Sequence, residues 1–557
     1  MSNTLIILDR GVCETASDLA GDDEYRLAGQ VAQIVVIERP VPKIVKSGFE
    51  DRTRLRAATP SGSANAASRR RARHNARMPS SFLWYDLETF GLDARRTRIA
   101  QFAAQRTDEN LNPLGDPVTL FCRPADDLLP SPTSVLLTGI TPQQCQREGV
   151  NEAEFAARIF ELMAQPQTCT AGYNSLRFDD THIRFLLYRN FFDAYEREWR
   201  GGNSRWDILD LMRLTCALRP DGIEWPTHDD GRLSFKLEHL AAANGLLHEQ
   251  AHDATSDVLA TIALARKVKE AQPRLFDYYL GFRDKRRALT LLDYANQTPV
   301  LHVSGRFPVE RYCTAPILPL APHPSIGNRI ICVDLSQDVD ALINASAEDI
   351  AERRFVARAD LPEGEERHPI KEVHANRCPA LVSMDHLRND DRERLQLDLD
   401  QIARRAEQLS KATDLPERLR QAFAMETARG DNDADAALYD GFVPDGDKRR
   451  FPDIRSAQPK ALPRFESQLT DPRLRELVFR YQARNWPDSL DTSQQRRWDD
   501  YRRQRLRDDT LAEQSLADFH AEVSALREHS GPGQAQTLLD ALEDWARPFD
   551  HLMEDSP

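Results

Sequence analysis

The chain lacks the marks of a zinc-bound or disulfide-stapled protein. Its eight cysteines stand at positions 13, 122, 145, 169, 216, 313, 332 and 378 of 557 residues, scattered and never as a CxxC pair. That pattern argues against a zinc cluster and a disulfide framework, and it leaves any metal to oxygen ligands. Long apolar runs are also missing. No stretch approaches the roughly eighteen uninterrupted apolar residues of a membrane helix. Leu5-Ile6-Ile7-Leu8 is broken at once by Asp9 and Arg10, too short for a signal-peptide core, so the expected location is the cytoplasm, away from membranes. An excess of positive charge is absent too. Lys and Arg number 74 against 88 Asp and Glu, a formal net charge of −14. Phosphate binding is driven by Lys and Arg, so this balance is adverse to a nucleic-acid protein. A groove, however, needs only local positive potential, and an acidic metal cluster adds to the negative count.

What is present suits a water-soluble protein of several domains. The chain is 41% hydrophobic and 29% charged, with mean hydropathy −0.57, and it is too long for one hydrophobic core, so two or three domains are expected. Residues 1–79 read as an extension with little to bury, ending in the basic run 69–77; Met78 is the expected start of translation. From Ser81 the texture changes. Residues 81–88, 98–106 and 117–122 read as strands, 151–164 as a helix, and 168–173 as a further strand. Helices are expected over 181–192, 206–218, 234–244 and 254–268. Leading strands followed by alternating strand and helices indicate an α/β sandwich with a mixed sheet. Segments 301–305, 315–320 and 329–335 are strand-like and suggest a small β-rich domain; beyond about residue 389 the chain reads as charged and helical.

Three segments carry chemistry. In Asp86-Leu87-Glu88 the two acids project from one face of a strand, because strand side chains alternate. Two adjacent carboxylates repel unless a cation lies between them, and the strand around them (Phe82, Leu83, Trp84, Tyr85, Leu87, Phe90) is core material. A hard divalent ion such as Mg²⁺ suits that pair. In the second segment, Gly172 to Asp180, a strand ends, a turn follows, and two consecutive Asp open a helix. One of them can serve as a cap and the other remains for a second task. The third segment places His252 five residues before Asp257, about 140° apart on an ideal helix. The workable arrangement has His252 on the loop leading in and Asp257 on the first turns. Together these are the parts of two-metal phosphoryl chemistry: acids for two cations and a histidine, neutral near physiological pH, as base for the attacking water.

The pattern Asp86-x-Glu88-Thr89, Asn174-x-x-x-Phe178-Asp179 and His252-x-x-x-x-Asp257 resembles the DEDDh 3′–5′ exonuclease superfamily on a ribonuclease H-like fold. Further segments resemble one bacterial family, exodeoxyribonuclease I: Asp86 to Gly91, Ala103 to Asp108, Leu137 to Pro142, Gly172 to Asp180, Asn203 to Asp207, Ala251 to Ala254, Gln272 to Tyr278, His302 to Gly305, Leu438 to Phe442 and Tyr481 to Asn485. The resemblance implies a DEDDh exonuclease domain over 80–270, an SH3-like domain over 271–425 and a helical domain over 428–557 closing over a groove. It implies processive 3′-to-5′ digestion of single-stranded DNA to 5′-mononucleotides in DNA repair and recombination. Asp86, Glu88, Asp179 and Asp257 would then hold two Mg²⁺ (Mn²⁺ being an alternative) and His252 would act as base, with Glu88, Thr89 and Lys236 at the substrate. Lys236 stands where an Arg is expected, keeping a point charge but losing the bidentate fork. The family is also bound by the C-terminal tail of single-stranded DNA-binding protein, for which Arg219 and Tyr278 are candidates, and a monomer is expected.

Two helical segments, 481–486 and 496–503, mix cations with aromatics. They suit either a sequence-tolerant grip on single strands or a charged helix face anchored in the core. A 3′–5′ exoribonuclease and a non-catalytic binding scaffold are the alternative functions; retention of all four acids and the histidine weighs against the scaffold.

Overall fold

The computed structural model describes residues 80–246, 254–354, 367–425, 430, 433–531 and 533–554. The extension 1–79 and the segment carrying His252 lie outside the described residues. The first sheet has the order β3-β2-β1-β4-β5, built from Ser81–Thr89 (β1), Ile99–Thr107 (β2), Val118–Phe121 (β3), Thr168–Gly172 (β4) and Ser204–Asp207 (β5). β1 runs antiparallel to β2 and parallel to β4, and β4 runs parallel to β5, so the sheet is mixed.

β1 is buried along its whole length, and alternation sorts its side chains between two cores. Phe82 and Trp84 pack with Trp206, Val258 and Leu264 on one face. Leu83, Tyr85 and Leu87 pack with Phe155, Ile183 and Leu187 on the other. The helices Glu152–Met163 and Asp179–Arg189 cover this second face, and Ile208–Leu218 and Ala254–Ala271 the first. One expectation is corrected: residues 204–207 form edge strand β5, and the helix expected from 206 begins at Ile208. The side chain of Asp207 accepts from Leu209 N and so stops helical continuation backwards. The short helices Pro132–Thr138 and Pro142–Glu148, each opened by a capping Ser or Thr before Pro, were not expected.

A second, antiparallel sheet has the order β10-β6-β7-β8-β9, from Val300–Val303 (β6), Thr314–Pro322 (β7), Arg329–Asp334 (β8), Ile370–His374 (β9) and Ala380–Ser383 (β10). Its inner side shares one apolar core with the first sheet, joined through Phe276 and Tyr279 of the helix Pro273–Leu280. The remaining chain is helical and folds back onto the first domain twice. Leu438, Phe451 and Tyr481 pack against Phe185 and Phe191, and Leu506, Phe519 and Leu542 pack against Phe90 and Val135. Buried ion pairs strengthen that return: Arg484 Nη2 lies 2.8 Å from Asp127 and 2.6 Å from Asp435.

Candidate active site

Alternation along β1 places Asp86 and Glu88 in the row of Phe82 and Trp84, the face covered by the helix Ala254–Ala271. Asp257 lies in the first turn of that helix. Ligand atoms of Asp86, Glu88 and Asp257 all fall within 4.8 Å of one another; the first two residues are buried and the third half-buried. Like charges this close repel, which a bound cation relieves, and an oxygen-only set of three carboxylates fits a hard divalent ion.

Asp179 reaches the same place from the strand's edge. Pairing of β1 with β4 ends at Trp84 and Ala171; where β4 has turned away, Asp179 Oδ1 accepts from Leu87 N at 3.1 Å. Its carboxyl therefore meets the backbone between the two β1 acids. Gly172 permits the close approach, since a Cβ there would stand 2.7 Å from the Tyr85 carbonyl oxygen. The following turn passes through Asn174 at φ 59°, a left-handed conformation that Asn tolerates. Asp207 fixes this turn by accepting from Asn174 N and Leu176 N, both at 3.0 Å. Burial pushes the Asp207 carboxyl up to about 6, against the pull of Arg177. Asp207 was missed as a supporting residue. The signal was there, an Asp directly before an apolar helical run.

Of the two consecutive acids, Asp180 is the structural one. Tyr85 Oη donates to it at 2.8 Å, Arg205 Nη1 lies at 2.5 Å, and Arg197 also pairs with it. Burial opposes its ionisation, but Arg197, Arg205 and Arg184 prevail and hold the carboxyl well below the usual range.

The other candidates fall as follows. Thr89 ends β1, where the register with β2 shifts, and its hydroxyl donates to the Gly91 carbonyl at 2.6 Å. Lys236 is half-buried just ahead of the helix Leu237–Ala243; the Tyr173 hydroxyl donates to the preceding carbonyl, of Phe235, tying that segment to the end of β4. Arg219 Nη1 pairs with Asp391 at 2.7 Å, and Tyr278 Oη donates to the Leu381 carbonyl at 2.8 Å beneath the Arg287 guanidinium. The Arg219 pair joins the first domain to the second, and the Tyr278 bond ties the helix Pro273–Leu280 to β10. The cation–aromatic segments resolve toward the core: Tyr481, Trp498 and Tyr501 are buried, and Arg484 is committed to Asp127 and Asp435. The aromatics that do face solvent were not foreseen. Phe442 is 100% exposed and Tyr439 52%, and Tyr439 sits edge-on to Phe185 of the helix that Asp179 opens.

A mixed sheet with helices on both faces and an oxygen-only acid cluster on its central strand defines a ribonuclease H-like, metal-dependent exonuclease. Family models agree along the chain: Exonuclease over residues 83–265, Exonuclease I SH3-like domain over 283–425, and Exonuclease I C-terminal domain over 432–549. Exodeoxyribonuclease I of Escherichia coli (strain K12) is 42% identical over 475 residues, 85% of this chain and 99% of its own. A solved exonuclease I from Methylocaldum szegediense is 46% identical, with TM-score 0.80 over 85% of this chain and 99% of its own. E. coli exonuclease I in complex with a dA16 oligonucleotide is 41% identical, with TM-score 0.79 over 84% and 99%. An ExoI/SSB-Ct complex matches at 41% identity and TM-score 0.78 over the same shares. The chain belongs to the exodeoxyribonuclease I family.

Proposed function

We propose that the protein is a processive 3′-to-5′ exonuclease that degrades single-stranded DNA to 5′-mononucleotides in the cytoplasm during DNA repair and recombination. The observation that carries the reading is the convergence of Asp86, Glu88 and Asp257 to within 4.8 Å in a chain of this family. Asp86, Glu88, Asp179 and Asp257 would hold divalent cations, with Mg²⁺ as the physiological choice. A bound pair of such ions supplies an activated water and charge stabilisation at the leaving 3′ oxygen. His252 takes the proton from the attacking water, a role that suits an imidazole near neutral pH. Glu88, Thr89 and Lys236 would contact the terminal nucleotide, with Lys236 attracting phosphate as a point charge.

Hold on the strand between cuts falls to the groove that the helical domain closes, with exposed Phe442 and Tyr439 offering faces on which bases of any sequence stack. The complexes of relatives with dA16 and with SSB-Ct support single-stranded DNA as substrate and the tail of single-stranded DNA-binding protein as partner. Arg219 and Tyr278, a cation and an apolar ring at the junction of two domains, are the candidate contacts for that tail. None of the helices described is long and apolar enough to cross a membrane.

The test is digestion of a 5′-labelled single-stranded oligonucleotide, beside an RNA of the same sequence, in Mg²⁺ and then in EDTA. Stepwise loss of DNA from the 3′ end, stopped by EDTA, is expected. An intact DNA strand beside a shortened RNA would replace this reading with an exoribonuclease, and two intact strands with a binding scaffold.

A further inference from the structure

The acid-bearing strand runs from Glu88 and Thr89 straight into a turn, Phe90 to Asp93, that the helical domain covers. Phe90 is buried among Leu506, Leu516 and Phe519. Above the turn lies the loop 508–515, between the helices Thr492–Arg507 and Leu516–His529. Glu513 of that loop reaches down so that its Oε1 accepts from Leu92 N at 2.6 Å and Asp93 N at 3.4 Å. Space between the two segments is used up: a Cβ on Gly91 would stand 1.8 Å from Glu513 Oε2, where atoms cannot overlap. Neighbouring contacts grip both flanks, with Gln514 Nε2 donating to the Pro130 carbonyl at 3.0 Å and Arg505 Nη2 to the Arg96 carbonyl at 2.6 Å. The turn is linked in its own right to the strand end, because the Gly91 carbonyl accepts the Thr89 hydroxyl at the register shift beside Glu88.

We propose that Glu513 is a positioning residue for the exonuclease reaction: through it the helical domain holds the Gly91–Asp93 turn and, by way of Thr89, the place of the Glu88 carboxylate. The proposal rests on the metal-holding role given above to Glu88. A carboxyl is an expensive choice for this position. Burial pushes Glu513 up to about 8, the Leu92 N–H opposes that shift, and Asp93 and Glu522 add negative charge. Around it, Arg95 pairs with Asp93, Arg505 is turned to the Arg96 carbonyl, and Glu522, itself an acid, accepts from Thr133. A glutamine would offer Leu92 N the same acceptor without a buried charge.

The unfolded carboxyl releases its proton near 4.5 and the docked one near 8. Across that window the docked form alone keeps the proton, so the clasp is firmest at low pH, loosens as pH rises to about 8, and then stays level.

The test uses the full chain with a single-stranded oligonucleotide and Mg²⁺, reading kcat and KM from pH 6.5 to 9. Glu513→Ala, which removes the acceptor, lowers kcat roughly ten- to hundredfold with KM little changed, since acids misplaced by a fraction of an ångström cost rate before binding. Glu513→Gln restores kcat at pH 6.5 and exceeds the wild type by about twofold or more at pH 9, where only the wild type carries the buried charge. Gly91→Ala lowers kcat in the wild type but adds nothing to Glu513→Ala, whose vacated space accepts the methyl, so the double-mutant cycle is non-additive. Wild-type kcat in Glu513→Ala, or independent effects of Gly91→Ala and Glu513→Ala, would overturn the proposal. Should Glu513→Ala not fold, a Glu513→Gln profile parallel to the wild type at every pH overturns it as well. A wild type idle on every single strand defeats the exonuclease reading itself, a separate result.

Discussion

Replacing Asp86 by Asn separates the metal's contribution from the fold's. Carboxylate atoms of Asp86, Glu88 and Asp257 lie within 4.8 Å of one another. Two unit charges at that distance repel by about 3.5 kcal/mol at an effective dielectric constant near 20. Two such contacts end on Asp86, so neutralising it removes up to about 7 kcal/mol of repulsion from the metal-free protein, a ceiling that neighbouring dipoles and water reduce. In EDTA, Asp86→Asn therefore melts at or above the wild type, by about 2–4 °C for each kcal/mol recovered. Mg²⁺ reverses the order. At a hundred times its dissociation constant it stabilises the wild type by about 2.7 kcal/mol, a rise of roughly 5–10 °C, and the variant loses most of that rise. Turnover falls in parallel: loss of about 4 kcal/mol of charge stabilisation in the transition state is about a thousandfold in kcat. Differential scanning fluorimetry with and without Mg²⁺, run beside the oligonucleotide digestion, measures both. A variant that keeps the full Mg²⁺ shift and more than a tenth of wild-type turnover would refute Asp86 as a ligand, and with it the reasoning from strand alternation to metal site.

His252→Ala lowers kcat by about 10²- to 10⁴-fold, the usual worth of a general base, with the dissociation constant for single-stranded DNA in Ca²⁺ nearly unchanged; an unaltered rate removes His252 from the base role. Phe442→Ala, which deletes a side chain 100% exposed in the folded protein, weakens single-strand binding by about 1–3 kcal/mol while the melting temperature stays within a degree or two; fluorescence anisotropy reads the first and calorimetry the second, and unchanged affinity takes Phe442 off the DNA path. Arg484→Ala removes the cation that Asp127 and Asp435 share, leaving Asp435 to Arg480 at 2.9 Å and Asp127 to Arg505 at 3.8 Å, and costs about 3 kcal/mol; a chemical-denaturation midpoint equal to the wild type would show that the return of the helical domain does not depend on this network.

Much of the site was legible because it obeys local rules. Alternation along nine residues places Asp86 and Glu88 on one face whatever lies elsewhere, and the helical period puts Asp257 in a first turn. What those rules could not deliver is the choice between like residues. Asp179 and Asp180 are neighbours in sequence, yet one meets Leu87 N and the other is enclosed by Arg197 and Arg205. That division depends on where β4 leaves β1. The stripe Tyr481 to Trp486 read equally as a grip on DNA or as core, since an amphipathic pattern states that a face is covered and not by what. Only the packing of the helical domain against Phe191 assigned Tyr481 to the interior.

By itself, then, the sequence singled out the candidate residues, four acids and a histidine, together with three domains in order and a family. The placing of the acids was readable because strand and helix periods are properties of a short stretch of chain, and the domains and family because their motifs resemble known ones. The tertiary structure decided which groups support that chemistry. Asp207 holding the Asn174 turn, and Glu513 reaching across 421 residues to Leu92, are long-range contacts. Such partners are chosen by which surfaces meet once the cores have closed, and no local pattern records that choice.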